Sequence, residues 1–428
     1  MARRLNGRRD AASLGLVGAV LIAVTPIVSH SFGRSTYGLL LPAMEDTLGL
    51  DHTQTGIGGT AIYAAYLVGV LSVASLSRRC EPVAIMRGSV LIAAAGLLWM
   101  ATVDTLSGMV VGLFLCGGAG AGIWITAPAI LTGTVSAAKR GLVIGSLTAS
   151  VGLGTFVVGM GTTAARSRAG DELLWRPVWV VEAVVCAVLL VGLVLWARPP
   201  RTDRPTGGRF NLDQLRRVEH WPRVTASYAM FAAVGAGFTP FLVRALQNDA
   251  GLSKGGAVST VSAMGLLAIP GAPLLGLASD RWGRKPVMTA VLSTAAVGTA
   301  VVALGRGPVA LVGVFCFGSV WSSYPTLVAT YVRDHTEARA FNEAFSTMTI
   351  FYSAAALCAP FTTGWLADAT GHFRTPFLVL TGVCAFGALL IARLPAAAVG
   401  PAPDQAAAAP VAGAAPVPPV APVSGPGS

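Results

Sequence analysis

The sequence predicts an all-α integral membrane protein with twelve transmembrane helices in two pseudo-symmetric six-helix halves. Three observations carry this expectation. Of the 428 residues, 54% are hydrophobic and only 11% are charged, whereas soluble domains carry about 25% charge. Twelve apolar runs recur along the chain, each near the ~20 residues a helix needs to cross the hydrocarbon core. The two sets of six runs then share short features at a nearly constant offset.

The first run covers 12–44. Its start, MARRLNGRRD and then an apolar stretch, has the outline of a secretory signal. No small-residue cleavage site clearly follows, and the apolar pattern continues to about Met44, so an uncleaved first helix is expected. The next five runs are 54–77, 83–103, 106–135, 140–165 and 177–197; the second set is 222–247, 255–279, 286–305, 308–332, 341–367 and 374–394. They are too long for barrel strands and lack strand alternation.

The remaining segments are polar or biased. Residues 1–11 form a basic N-terminus. Residues 198–221, RPPRTDRPTGGRFNLDQLRRVEHW, are a basic linker between the halves 12–197 and 222–394, with a short amphipathic helix expected at 211–220. Residues 395–428 are Pro, Ala, Gly and Val; such a composition builds no packed core and reads as a disordered tail.

Net charge is +11, which raises the question of a nucleic-acid partner. The distribution answers it. With the N-terminus inside, 22 of the 30 Lys and Arg fall on the cytoplasmic side, including Arg78, Arg79, Arg216, Arg217, Arg284 and Lys285, against seven outside. This is the positive-inside bias of a multi-pass protein. It places both termini in the cytoplasm and makes the expected location the inner (cytoplasmic) membrane, with no nucleic acid. The six cysteines form no C-x-x-C pair, and all but Cys80 lie in apolar runs. They read as buried small residues. No span carries a metal-ligand cluster or a nucleophile–base pair, so neither a metal, nor another cofactor, nor catalysis is expected.

The repeat is specific. Trp124-Ile-Thr-Ala-Pro128 in the fourth span matches Trp321-Ser-Ser-Tyr-Pro325 in the tenth. Trp175-Arg176 and Cys186 match Phe373-Arg374 and Cys384. Spans 1 and 7 are each followed by Gly-Leu, at 49–50 and 251–252. Three matches in register suggest duplication of a six-helix unit.

Between spans 8 and 9 stands Gly276-Leu-Ala-Ser-Asp280-Arg281-Trp-Gly283-Arg284-Lys285-Pro286. This loop resembles the signature of the major facilitator superfamily, roughly G-x-x-x-D-R-x-G-R-[RK]. With the span count and the repeat, the resemblance covers residues 12–394. It implies the two-half fold of that superfamily, with spans 1, 2, 4, 5, 7, 8, 10 and 11 lining a central cavity. It also implies alternating access and a conformational latch at Gly276, Asp280, Arg281, Gly283, Arg284 and Lys285. Physically, Asp280 can accept charge-assisted hydrogen bonds and Gly283 permits a sharp turn. Plain positive-inside topology explains the basic residues alone. The corresponding first-half loop, Ser75-Leu-Ser-Arg78-Arg79-Cys80-Glu81-Pro82, keeps a basic pair but lacks the Asp and the Gly. The Arg that drug/proton antiporters carry before a span-4 glycine is absent from Leu113-Phe-Leu-Cys-Gly117, and span 5 has no Gly-Pro pair. A finer resemblance, carried by FGRSTYGLLLPAM and by Tyr63 and Tyr66, is to bacterial permeases of small organic anions of the cyanate or aromatic-acid type.

Span 1 carries the chemistry. His30, Arg34 and Tyr37 are spaced i, i+4 and i+7, which on a regular helix is one face. A charge at that depth costs ~2.5–3.5 kcal/mol or more and persists where it meets water, a counter-ion or a ligand. Arg34 therefore reads as an anion-binding guanidinium beside a donor Tyr37 and a titratable His30; snorkelling to the interface is the alternative. Glu182, in span 6, is the clearest intramembrane carboxylate and a second proton-coupling candidate, unless it pairs with Arg176. Arg244 reads as a second anion contact or an interface anchor. Trp124, Trp321 and Tyr324 are candidate stacking surfaces for a substrate ring or packing residues. The expected activity is secondary active transport, as a symporter, of a small organic anion by a monomer, with proton coupling. Export of a neutral or cationic drug or metabolite is the alternative.

Overall fold

The computed structural model of the chain describes residues 15–134, 140–169, 175–197 and 210–395. The expected basic N-terminus, most of the linker and the Pro/Ala-rich tail lie outside the described residues. Among the described residues eleven helices are long and apolar enough to cross a membrane, and the pair Trp221–Phe238 and Leu242–Asn248, bent by 53°, brings the number to twelve when counted as one span. Among the described residues there is no strand. The first half comprises span 1 (Leu16–Leu48), span 2 (His52–Leu76), span 3 (Pro82–Met100), span 4 (Leu106–Thr134), span 5 (Arg140–Ala169) and span 6 (Trp175–Trp196). After the bent span 7 come span 8 (Lys254–Trp282), span 9 (Arg284–Leu304), span 10 (Pro308–Trp321 with Tyr324–Asp334), span 11 (Ala338–Thr370) and span 12 (Arg374–Ala392).

These helices form because their turns are coded and their surfaces are apolar all round. The repeated Gly-Leu now has a physical reason. Gly49 (φ +64°) and Gly251 (φ +74°) take the left-handed conformation that ends one helix and aims the next. Asp51 then caps span 2 in a capping box with Gln54, and Ser253 caps span 8 at Gly256. Span 6 shows the solvent these helices expect: Val181, Val184, Val188 and Val191 are exposed, on a helix of high mean hydropathy.

Packing follows the duplication. Span 4 packs on spans 2 and 3, and span 10 on 8 and 9. Span 3 packs on 6, and span 9 on 12. Arg87 of span 3 donates to the terminal carbonyls of span 6, Leu193 (2.8 Å) and Ala197 (2.9 Å). Lys285 does the same at the start of span 9, toward the carbonyl of Leu394 past span 12. Each cation satisfies helix-end carbonyls that the bilayer leaves without water.

The halves meet along span 2 against span 11 and span 5 against span 8. Glycine makes both seams close. A Cβ on Gly152 would lie 2.4 Å from the Gly265 carbonyl, and one on Gly56 would lie 2.6 Å from the Pro360 carbonyl. Where spans 1 and 2 join, the seam is sealed: a Cβ on Gly364 would lie 2.0 Å from the His52 carbonyl. At the opposite end of span 2, a cavity of about 690 Å³ is lined by Val68, Leu71, Ser72, Ser75, Leu76, Arg78 and Arg79. The short linker helix, Leu212–Arg216, is capped by Asn211, whose side chain donates to Glu343 of span 11.

Candidate functional site

Span 1 is not one regular helix. Phe32 (ψ 146°) and Gly33 (φ +71°) leave helical geometry inside Ile27–Ser35. Only glycine takes Gly33's conformation at low cost, and the approach is close: a Cβ there would sit 2.9 Å from the Cys116 Cβ of span 4. The polar run His30 to Thr36 stitches the break. Ser35 donates to the His30 carbonyl and Ser31 to the Val151 carbonyl of span 5.

The break turns Arg34 toward span 2. Its Nη2 donates to the Tyr63 hydroxyl at 2.6 Å, and its guanidinium stacks 4.7 Å from that ring's centre. Tyr66 of span 2 and Tyr352 of span 11 are near enough to feel its charge. Arg34 lines a space of about 10 Å³ with Ser29, Phe32, Gly33, Ile62, Tyr63, Tyr66, Cys116 and Gly117, room for about one water. Among the described residues no carboxylate pairs with Arg34, and it is not fully buried. A guanidinium has five donors, and the Tyr63 oxygen takes one of them.

His30 stays beside this site. Its Nδ1 lies 2.8 Å from Ser29 Oγ, and its ring packs, tilted by 46°, with its centre 4.4 Å from that of Trp124 of span 4. Tyr37 does not. It lies three residues past Arg34 on the regular helix that follows the break, and it packs further along span 2 beside Gly58. It is fully buried, and its hydroxyl donates to the Thr55 carbonyl at 2.6 Å. The break falls between His30 and Arg34, so the regular one-face spacing holds only from Arg34 to Tyr37.

The second-half candidates sit elsewhere. Trp321 is wedged between Phe231 and Phe317 over Gly235. Tyr324 is fully buried against Ser227, 2.7 Å oxygen to oxygen. Tyr228 and Tyr352, absent from the sequence expectation, form an aromatic pair at 4.5 Å in the second half. Their spacing across spans 7 and 11 has no local signal in the sequence.

Arg244 is committed to acids at the sealed end. It donates to Glu45 at 2.7 Å and reaches Asp46 at 2.5 Å, both on span 1. Buried Glu45 also meets His52 (2.9 Å) and Thr55 (2.9 Å). Asp368 of span 11 takes the Thr53 N–H at 2.7 Å, tying the halves again. Arg176 pairs with Asp104, not with Glu182. Glu182 is buried in span 6, accepts from the Thr36 hydroxyl and faces the Gly33 N–H at the break.

In the span 8–9 loop, Gly283 takes φ +91°. Arg284 donates to Asp280 (2.6 Å), to Ser279 (2.6 Å) and to Asp334 of span 10 (2.8 Å). Arg281 is exposed and Gly276 has open space around it. The loop thus ties three spans of one half together.

Comparison with known proteins bears on this geometry. The family model described as Major Facilitator Superfamily matches residues 27–342 and 224–422. A probable 4-methylmuconolactone transporter of Cupriavidus pinatubonensis is 22% identical over 270 residues, covering 60% of this chain and 61% of that protein, so the chain matches less than two thirds of that relative's length. Among solved structures, the nucleoside transporter NupG has a TM-score of 0.70 at 14% identity, over 89% of this chain and 99% of that one. A D-xylose-proton symporter also has 0.70, at 13% identity, over 88% and 96%. These structural likenesses are likenesses of fold.

Proposed function

The chain belongs to the Major Facilitator Superfamily and is a multi-pass membrane transporter, and on that footing we propose that it moves a small organic anion by alternating access, with Arg34 as the anion contact. The observation that carries this reading is the guanidinium at the break of span 1. It sits within the bundle, beside a cavity-lining span, with no carboxylate partner among the described residues and four donors unused. A carboxylate takes two parallel bonds from such a group. The Tyr63 oxygen stands where one ligand oxygen would bind. Tyr63, Tyr66, Tyr228 and Tyr352 offer ring surface on both halves, which suits an unsaturated or ring-bearing acid. The relative's name, a transporter of a lactone, is in keeping with this class.

Closure at the Arg244–Glu45 end supports an inward-facing state, with the termini cytoplasmic by the Lys/Arg bias in an inner membrane. Rocking of the halves about the span 2–11 and 5–8 seams would then expose Arg34 to the other side. Proton coupling is assigned to His30 over Glu182. His30 lies one turn from Arg34 and is partly exposed, whereas Glu182 is buried behind span 1. The latch role of the span 8–9 loop belongs to the same reading, with Arg284 as its central contact.

The test is uptake by purified protein in liposomes, with labelled 4-methylmuconolactone and benzoate as probes. Arg34→Ala should abolish saturable uptake and Arg34→Lys should weaken it. Equal uptake in all three forms sinks the anion site. A His30→Ala variant that keeps its response to an imposed pH gradient removes the proton assignment.

A further inference from the structure

Glu182 lies in span 6, a helix whose outer face is apolar and exposed. A carboxylate in such a span is costly and persists where it has work to do. Among the described residues no cation pairs with it. What it touches is the break: the Thr36 hydroxyl donates to its Oε1, and its carboxylate faces the Gly33 N–H. Its Oε2 is buried without a hydrogen-bond partner.

A break in a membrane helix strands backbone donors that water cannot reach. Phe32 and Gly33 leave the helical path, so the regular backbone ladder is interrupted there. We propose that Glu182 is a positioning residue: its carboxylate holds the break open and so aims Arg34 at the cavity. This rests on the reading of Arg34 as the anion contact.

The repeat supplies an internal comparison. The residue matching Glu182 at the offset of 198 that relates Cys186 to Cys384 is Leu380. Leu380 is buried and lies 3.1 Å from where a Cβ on Gly237 of span 7 would be. There span 7 runs as a regular helix from Trp221 to Phe238. Leucine faces the regular stretch of span 7 before its bend, and glutamate faces the break of span 1 itself.

The test compares Glu182→Leu, Glu182→Gln and Thr36→Val in the full-length protein in nanodiscs. Hydrogen exchange over residues 27–36 should quicken about tenfold in Glu182→Leu, the cost of a lost buried acceptor, and rise by less in Thr36→Val. Glu182→Gln keeps an acceptor oxygen and should exchange like the parent. Benzoate uptake should then show a raised KM in Glu182→Leu that Glu182→Gln restores. Unchanged exchange in both Glu182→Leu and Thr36→Val overturns the proposal, as does fast exchange in Glu182→Gln. If Glu182→Leu does not fold, Thr36→Val and Glu182→Gln decide. Exchange is read without substrate, so failure of the anion reading would appear only in uptake.

Discussion

Arg244 of span 7 donates to the buried carboxylate of Glu45 in span 1 at 2.7 Å, across the boundary between the two halves. The same guanidinium reaches Asp46, and Glu45 also holds His52 and Thr55. Removing one partner of a buried, hydrogen-bonded ion pair costs about 3–5 kcal/mol, because the other charge stays buried. Arg244→Ala should therefore loosen the sealed end. In a background without the six native cysteines, a cysteine at Phe241, fully buried beside this cluster, should label with an impermeant maleimide at least about tenfold faster. An unchanged labelling rate would show that the pair does not hold the seal.

Arg34 gives the second prediction. One charge-assisted hydrogen bond is worth about 1.5–3 kcal/mol, or roughly 10–150-fold in affinity. Arg34→Ala should weaken benzoate binding by that factor in calorimetry. Tyr63→Phe should act in the opposite sense. It removes the oxygen that occupies the guanidinium and enlarges a space of about 10 Å³. A Tyr63→Phe form that binds less tightly would mean the hydroxyl contacts the ligand instead of holding its place.

How much of this was legible in the sequence follows from the range of each signal. Spans depend on composition over about 20 residues and were read within a few positions. Turn chemistry at Gly49, Asp51, Gly251 and Gly283 is local and was partly visible as a repeat. Arg34 stood out because a charge in an apolar run is rare. The break between His30 and Arg34 left no periodic signal, because it packs against Cys116, 83 residues from Gly33, and beside Glu182, 149 residues away. Arg244 reads in the sequence as an anion contact or an interface anchor, because Glu45, nearly 200 residues away, becomes its neighbour only when the halves meet. Glu182 was noticed as a charge, but its partner Thr36 had no signal of its own.

Gly33 yields the third prediction. At φ +71° a side chain costs about 1–2 kcal/mol in backbone strain, and the added Cβ meets Cys116 at 2.9 Å. Gly33→Ala should lower the melting temperature and weaken benzoate binding together. Cys116→Gly in the same chain relieves the contact but not the strain, so it should restore only part of the loss. Full restoration would mean that the left-handed conformation is not required.

The span 5–8 seam yields the last. A Cβ on Gly152 would lie 2.4 Å from the Gly265 carbonyl, and one on Gly265 would lie 2.7 Å from the Gly152 carbonyl. The two backbones touch because neither carries a side chain, as in other close membrane crossings. A leucine at either position must push the halves apart, at about 1–3 kcal/mol for overpacking. In the proposed alternating access the halves pivot on this seam and the span 2–11 seam, so a wedge should alter the balance of states as well as stability. Gly265→Leu should slow benzoate exchange across liposomes several-fold more than Gly265→Ala, while a Leu at Gly145, which has open space around it, should leave both rate and melting temperature near the parent. If Gly265→Leu transports at the parental rate, the close crossing is packing alone and the pivot lies elsewhere.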